Sequence, residues 1–277
     1  MAEDWLVLKG LQWAWDHFDE IRDRIGKIRT WFRFDPGRGI LIIGPGGAGK
    51  STLARILSGD FDWLLDEPWR YNESFGVEEF ALKDDPKTNI VVPPGQTHRR
   101  ETLWADVERN LGAGHYRGVI VVNAFGYHTL ANLSYKEHPL YDHTKESFLT
   151  AYLEACRRDE LTVLKRIVGP LTTAPGRMWL LSVVAKEDLW DSDTQLASRF
   201  YTEGEYANLL DTVSRTKGAV NFRHELVKAS LVISNFETSK GEILRKNTEG
   251  YDHRHCVGSL RLLLEAINSL REWEAKS

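Results

Sequence analysis

A glycine-rich stretch in the first quarter of the chain has the residue types and spacing of a phosphate-binding loop. It consists of Gly44, Pro45, Gly46, Gly47, Ala48, Gly49, Lys50 and Ser51, and it matches G-x-x-x-x-G-K-[ST] at every fixed position. Glycines let the backbone fold around an anion with its N–H groups turned inward, and a helix that starts there adds positive potential. Lys50 would neutralise phosphate oxygens, the Ser51 hydroxyl would ligate Mg²⁺, and Thr52 would also contact the nucleotide. The stretch predicts a nucleotide site that uses Mg²⁺.

The elements around this loop alternate between strand-like apolar runs and helical patterns. The runs are 40–43, 77–82, 90–92, 119–122, 178–184 and 230–233, and the helix candidates are 50–58, 98–111, 144–167, 194–216 and 255–274. This alternation predicts an α/β fold, a mainly parallel sheet with helices on both faces. A short turn joins the runs 77–82 and 88–92, which predicts one antiparallel hairpin strand.

Residues 1–36 predict an amphipathic helix that precedes a domain covering 37–277. Apolar side chains recur at steps of three and four, among them Trp15, Phe18 and Ile21, while both charge signs occupy the other faces. We expect this helix to pack against the domain. A partner helix and a membrane-surface helix are the second and third alternatives. Its tryptophans give a broad apolar surface, the best candidate for a protein interface.

Composition excludes several classes of protein. The 277 residues carry 36 Lys and Arg against 40 Asp and Glu, a formal charge of −4, which argues against nucleic-acid binding by bulk charge. The amino terminus lacks an apolar signal core, and no window has the apolar length of a transmembrane segment. Only two cysteines occur, which fits a reducing compartment. We therefore expect a cytoplasmic protein.

Five segments, in order between residues 38 and 274, resemble the Ras-like G-domain family of P-loop GTPases. The first is the loop described above. The second is 71–78, where the family places a switch hydroxyl that closes on Mg²⁺; Ser74 is the nearest hydroxyl here. The third is Val-Pro-Pro-Gly-Gln at 92–96, which is similar to D-x-x-G-Q. The resemblance implies that Gly95 contacts the γ-phosphate and that Gln96 orients the attacking water. A polar loop and a rigid turn are the plainer interpretations of these two segments.

Val92 stands where the family has the acidic residue of the magnesium shell. Valine cannot accept a hydrogen bond from a metal-bound water. A carboxylate from elsewhere, such as Asp84 or Glu78, would have to reach in. We therefore expect hydrolysis to be slow, or the magnesium site to be built differently.

The fourth and fifth segments concern the base. Residues 184–190 read VAKEDLW and resemble N-K-x-D, with alanine in place of the asparagine. The resemblance implies that Asp188 accepts from the guanine N1–H and 2-amino groups, while the stem of Lys186 packs over the base. A surface turn is the alternative. Ser234 and Asn235 follow the predicted last strand and match the family's final base-contacting motif by position alone.

Residues 97–104 form a basic, aromatic segment after Gln96, similar to switch II of some G proteins. Arg99 or Arg100 would then act as an arginine finger in cis, and a solvated helix face is the alternative. The histidines at 115–143 and 253–255 match no tight ligand spacing, so we expect 128–143 to be a surface insertion.

Together these features predict a guanine-nucleotide-binding switch that slowly hydrolyses GTP to GDP and phosphate. Two alternatives stay open at this point. One is a P-loop ATPase that uses ATP and ADP. The other is a nucleotide-sensing interaction module with little turnover, whose protein partner binds the helix at 1–36 or the segment 97–104.

Overall fold

The computed structural model describes residues 39–60, 76–82 and 85–275. Their largest sheet has six strands in the order β2-β3-β1-β4-β5-β6. The strands are β1 (Gly39–Ile43), β2 (Glu78–Leu82), β3 (Asp85–Val92), β4 (Tyr116–Asn123), β5 (Met178–Val184) and β6 (Phe222–Lys228). Every neighbouring pair is parallel except β2 with β3. The mainly parallel α/β sheet and its antiparallel hairpin are confirmed. A separate antiparallel pair joins β7 (Phe236–Glu237) to β8 (Ile243–Arg245).

Helices follow the strands. They are α1 (Lys50–Ser58), α2 (Thr97–Gly112), α3 (Lys145–Thr173), α4 (Glu187–Trp190), α5 (Thr194–Thr202), α6 (Glu205–Lys217) and α7 (His253–Ala275), with short 3-10 turns at Tyr135–Glu137 and Asp191–Asp193. Helix α1 packs on β1, β2 and β3, α7 packs on β5 and β6, and α3 packs against both α2 and α6. The predicted helix at 194–216 is two helices, because the chain leaves the helical conformation at Gly204.

Most of the sheet was predictable from the sequence because its central strands are apolar runs. The apolar residues of β1, β4 and β5 are buried, as expected for parallel strands covered on both faces. The prediction of the last strand at 230–233 is wrong. That strand is β6, which has a neighbour on one side only and is mostly half-buried, so it carries polar residues and shows no apolar run.

Two earlier predictions lie outside the described residues: the amphipathic helix at 1–36 and the switch hydroxyl of Ser74. Within the ranges that are described, no helix combines the length and the apolar character needed to cross a bilayer.

Candidate functional site

The glycine-rich loop connects β1 to α1 at the carboxyl end of the sheet. Gly44, Gly47 and Gly49 have φ of 152°, 72° and 106°, a backbone region that side chains rarely allow. A β-carbon on Gly44 would also collide with the carbonyl oxygen of Val122 on β4. Glycine is therefore required for the loop to curl over the sheet before α1 begins at Lys50. Gly49 has no side chain to cap the first N–H groups of α1. Uncapped N–H groups at the start of a helix are suited to binding an anion.

Lys50 lies folded back over the loop. Its ammonium donates to the carbonyl oxygen of Pro45 at 2.8 Å, and the side chain is only 7% exposed. Burial, together with the positive charge of Arg100, lowers its pKa to about 8, against the opposing charges of Glu78 and Asp159. A buried ammonium retains unused hydrogen-bonding capacity and favours an anionic ligand, so the geometry suits phosphate.

Gly95 and Gln96, which follow β3, are both brought to the loop. A β-carbon on Gly95 would lie 2.6 Å from the carbonyl carbon of Pro45 and would strike the Lys50 ammonium, so only glycine permits this approach. A β-carbon on Gly46 would meet Cγ of Gln96 at 3.5 Å. The two segments predicted to share the phosphate site are therefore in contact.

The two candidate arginines differ. Arg99 lies in α2, directly after the loop-contacting segment. Arg100 is 2% exposed, forms an ion pair with Asp159 of α3 and stacks at 5.9 Å from the ring of Trp104. Breaking a buried ion pair costs several kcal/mol. Arg100 is therefore held in the packing of α2 against α3, and its charge lies close enough to Lys50 to lower the pKa of that group.

The segment 185–188 also reaches the loop. A β-carbon on Gly49 would meet the β-carbon of Ala185 at 3.9 Å. Lys186 has φ of 57°, unusual for a residue with a side chain, and its ammonium donates to the carbonyl oxygen of Tyr127 at 2.7 Å and to Thr129 Oγ1 at 3.1 Å. Burial lowers the pKa of Lys186 to about 8. Backbone strain of this kind concentrates at functional positions.

Asp188 is 1% exposed, and two donors hold its carboxylate. Ser230 Oγ donates to Oδ1 at 2.7 Å, and the Ser234 N–H donates to Oδ2 at 3.1 Å. Burial raises the pKa of Asp188 to about 6, while the two serine hydrogen bonds act in the opposite direction. Above that pH the carboxylate is ionised and is a hydrogen-bond acceptor. Asn235 does not join it, because its side-chain oxygen accepts from the Asn247 N–H at 3.2 Å.

Ser230 is a residue that sequence reasoning missed. Because β6 ends at Lys228, the residues that directly follow the strand are Ala229 and Ser230. The Ala229 N–H donates to the carbonyl oxygen of Val184 at 2.9 Å, which ties this turn to the end of β5. The sequence 222–228, FRHELVK, has no apolar run and no strict alternation, so it gave little signal of a strand.

A second missed region follows β4. The prediction of a surface insertion at 128–143 is wrong at its start, because His128 and Leu130 are buried. Thr129 binds the loop, since its N–H and its hydroxyl donate to the carbonyl oxygen of Gly47 at 3.1 and 3.2 Å. This region therefore supports the phosphate loop from beside it.

Glu160 of α3 fastens that supporting segment. Its carboxylate is 0% exposed, and Oε1 accepts from the Ala124 N–H, the Gly126 N–H and His128 Nε2 at 2.9 to 3.1 Å. Its other oxygen, Oε2, accepts from the Tyr201 hydroxyl at 2.6 Å. A buried carboxylate with several charge-assisted hydrogen bonds fixes the backbone that it accepts from.

We expect the stability that His128 contributes to fall as the pH rises. Burial alone would lower the pKa of His128, but its interactions with Cys156 and Glu160 outweigh burial and raise the pKa from 6.5 to about 9. The stabilisation is complete below pH 6.5 and is lost as the pH rises through 9, in total about 3 kcal/mol. Urea unfolding of the wild type and His128→Gln at pH 6 and pH 9.5 measures this loss as the difference between their pH dependences, because the lowered pKa values of Lys50 and Lys186 contribute with the opposite sign in both proteins. The same pH dependence in the two proteins would contradict the assignment.

The donor set near α1 suits a magnesium ion. The Ser51 hydroxyl donates to Glu78 Oε2 at 2.7 Å, so a hydroxyl and a carboxylate lie side by side at the loop. Oxygen donors of this kind are those that Mg²⁺ prefers, alongside phosphate oxygens and water. In the described part of the chain, His, Cys, Asp and Glu side chains form no cluster of three or more that would hold a metal without a nucleotide.

No protein-family model matches the chain. The search of curated proteins finds no match either. Solved structures do align with it, as follows. The signal recognition particle receptor SRβ with GDP from Chaetomium thermophilum is 14% identical, with 84% of this chain and 99% of that chain covered and a TM-score of 0.42. The small COPII coat GTPase SAR1 with GDP from Encephalitozoon cuniculi is 11% identical, with coverages of 96% and 95% and a TM-score of 0.40. Nucleolar GTP-binding protein 1 from Plasmodium falciparum is 12% identical, with coverages of 86% and 91% and a TM-score of 0.36. The chain is similar to these GTP-binding proteins at low sequence identity.

Proposed function

We propose that this chain binds a guanine nucleotide with Mg²⁺ and acts as a conformational switch with slow hydrolysis of GTP. One observation carries the proposal: a buried carboxylate, Asp188, lies on the segment whose Ala185 stands beside Gly49 of the loop. A phosphate site and a carboxylate base site on one continuous edge of the sheet suit a nucleotide whose base offers two adjacent N–H donors.

The loop at 44–51 would bind the phosphates of the nucleotide. The backbone N–H groups of 44–51 and the start of α1 would surround the phosphates, and the Lys50 ammonium would bind their oxygens. Mg²⁺, when bound, would neutralise the phosphate charge from the side of Ser51. Phosphate binding would raise the pKa of Lys50 above about 8, because it supplies the anion that burial leaves missing.

Asp188 would recognise the base of the nucleotide. Adenine lacks the N1–H and 2-amino donor pair, so an ionised carboxylate discriminates between the two bases. Oδ1 can keep its bond from Ser230 while it accepts a second one, because each carboxylate oxygen has two lone pairs. The Ser234 N–H, which binds Oδ2, would be displaced or shared when a base enters.

Switching and hydrolysis would depend on the segment after β3. Gly95 would contact a γ-phosphate and Gln96 would orient water, so the two nucleotide states would differ in their contacts with this segment. Arg99, which comes after this segment in the chain, is the candidate arginine finger in cis. A sensor with little turnover is the second candidate, favoured because Val92, at the end of β3, is apolar and buried. In either case a protein partner would bind the predicted helix at 1–36 or the segment 97–104, in the cytoplasm.

The test is equilibrium binding of fluorescent GDP, GTP, ADP and ATP analogues with Mg²⁺ to the wild type and Asp188→Ala. Two hydrogen bonds to a charged acceptor are worth about 3–6 kcal/mol, so we expect guanine to be preferred about 10²- to 10⁴-fold, and the preference to vanish in the variant. Asp191→Ala, which removes an exposed carboxylate nearby, should change nothing.

Asp188→Asn is the second variant, for the case that Asp188→Ala does not fold, because asparagine keeps the shape of the side chain. Its amide donates where the carboxylate accepts, so affinity should move from guanosine to xanthosine diphosphate, which has a carbonyl in place of the 2-amino group. Adenine nucleotides that bind the wild type as tightly as guanine nucleotides would overturn the guanine assignment and restore the ATPase alternative.

A further inference from the structure

The end of β3 offers no ligand to a magnesium shell. Val92 is 1% exposed and apolar, and it occupies the position from which an acidic side chain would face the phosphate loop. Its partner across the antiparallel pair of β2 and β3 is Glu78. Residues directly opposite in such a pair project from the same face of the sheet, with β-carbons about 4.5–5.5 Å apart. A carboxylate therefore stands beside the position that Val92 leaves apolar.

This carboxylate reaches the loop. Glu78 Oε2 accepts the Ser51 hydroxyl at 2.7 Å, across 27 positions of sequence. Its negative charge also acts on the ammonium of Lys50 and opposes the lowering of that group's pKa. Glu78 thus lies close both to the hydroxyl that would ligate the metal and to the cation that would bind the phosphates.

We propose that Glu78 is the acidic residue of the magnesium site, supplied from β2 in place of an acidic residue at the end of β3. The proposal rests on the proposed function. A serine hydroxyl has one proton and two lone pairs, so Ser51 can donate to Glu78 and still ligate Mg²⁺. Glu78 would orient that hydroxyl and accept from metal-bound water, as the carboxylates around metal ligands do.

A purely structural role makes a different prediction. If the Ser51–Glu78 hydrogen bond only joined α1 to β2, its loss would lower the stability of the fold and would leave metal dependence unchanged. If Glu78 belongs to the metal site, its loss raises the Mg²⁺ concentration that is needed to slow nucleotide release. Dependence on the Mg²⁺ concentration therefore separates the two roles.

The experiment measures dissociation of fluorescent GDP over a series of free Mg²⁺ concentrations in the wild type, Glu78→Gln and Glu79→Gln. Glu79 is the matched control, because it is the next residue of the same strand, is exposed and projects from the opposite face. In Glu78→Gln we expect the Mg²⁺ concentration that half-maximally slows release to rise about 10- to 100-fold. The release rate of each protein in EDTA is its own metal-free reference, so the midpoint reports the response to Mg²⁺ alone.

Mn²⁺ supplies a readout that is independent of nucleotide release. Electron paramagnetic resonance of Mn²⁺ with the GDP-loaded proteins should show weaker metal binding in Glu78→Gln alone. The same Mn²⁺ affinity and the same Mg²⁺ midpoint in all three proteins would overturn the inference while guanine binding stands. Absence of GDP binding by the wild type would instead overturn the proposed function and the inference with it.

A double variant tests whether an acidic residue at position 92 can take over the role of Glu78. Because Val92 and Glu78 are opposite each other in the register, Val92→Asp should restore the Mg²⁺ dependence that Glu78→Gln loses. A double variant that is folded but still defective would count against the exchange of roles between the two strands.

Discussion

Replacing Lys50 with methionine is expected to lower the affinity for GDP by about two to four orders of magnitude and to leave the protein folded. Hydrogen bonds from a cation to phosphate oxygens are worth about 1.5–3 kcal/mol each, and the ammonium is placed to make two of them. The loss should be similar for GDP and ADP, because the phosphates and not the base are affected. Isothermal titration calorimetry at pH 7 measures it.

The nucleotide-free fold should tolerate this change. Burial lowers the pKa of Lys50 to about 8, which means that its charge is a cost to the folded state. The methionine stem fills the space of the lysine stem, so the unfolding temperature without nucleotide should not fall. Lys165→Met, which removes an exposed lysine of α3, is the control. Unchanged GDP affinity in Lys50→Met would show that the loop at 44–51 is not the phosphate site.

The second large effect is on stability: Glu160→Gln is expected to lower the free energy of unfolding by about 3–5 kcal/mol, the usual cost of breaking a buried ion pair. The carboxylate accepts two backbone N–H groups, His128 and the Tyr201 hydroxyl. An amide offers a single oxygen, and its NH₂ group would face donors. At least one buried donor is therefore left without an acceptor.

Urea unfolding at pH 7 checks this result, with Glu154→Gln as the control, since Glu154 is an exposed residue of the same helix. A loss of less than 1 kcal/mol would show that the network does not carry the stability assigned to it. The variant should also bind GDP more weakly, because Glu160 fixes the segment whose Thr129 binds the carbonyl oxygen of Gly47. Glu154→Gln should leave GDP binding unchanged.

Features that depend on contiguous residues were predictable from the sequence. The loop at 44–51 was recognised because glycines at positive φ and the Lys-Ser pair are adjacent in the chain. The strands β1, β4 and β5 were found because burial on both faces selects unbroken apolar runs. The hairpin of β2 and β3 was found because a short turn leaves few ways to pair two neighbouring runs.

Contacts between distant residues were decided by the tertiary structure alone. Ser230 binds Asp188 across 42 positions, and Glu160 holds Ala124 across 36. From the sequence, Glu78 was only one of two carboxylates that would have to reach the metal position from elsewhere, and strand register brings it to Ser51. Spacing along the chain cannot encode these neighbours, because they follow from the order of strands in the sheet. The sequence by itself determined the phosphate loop and the strand pattern, and the fold determined which side chains complete the site.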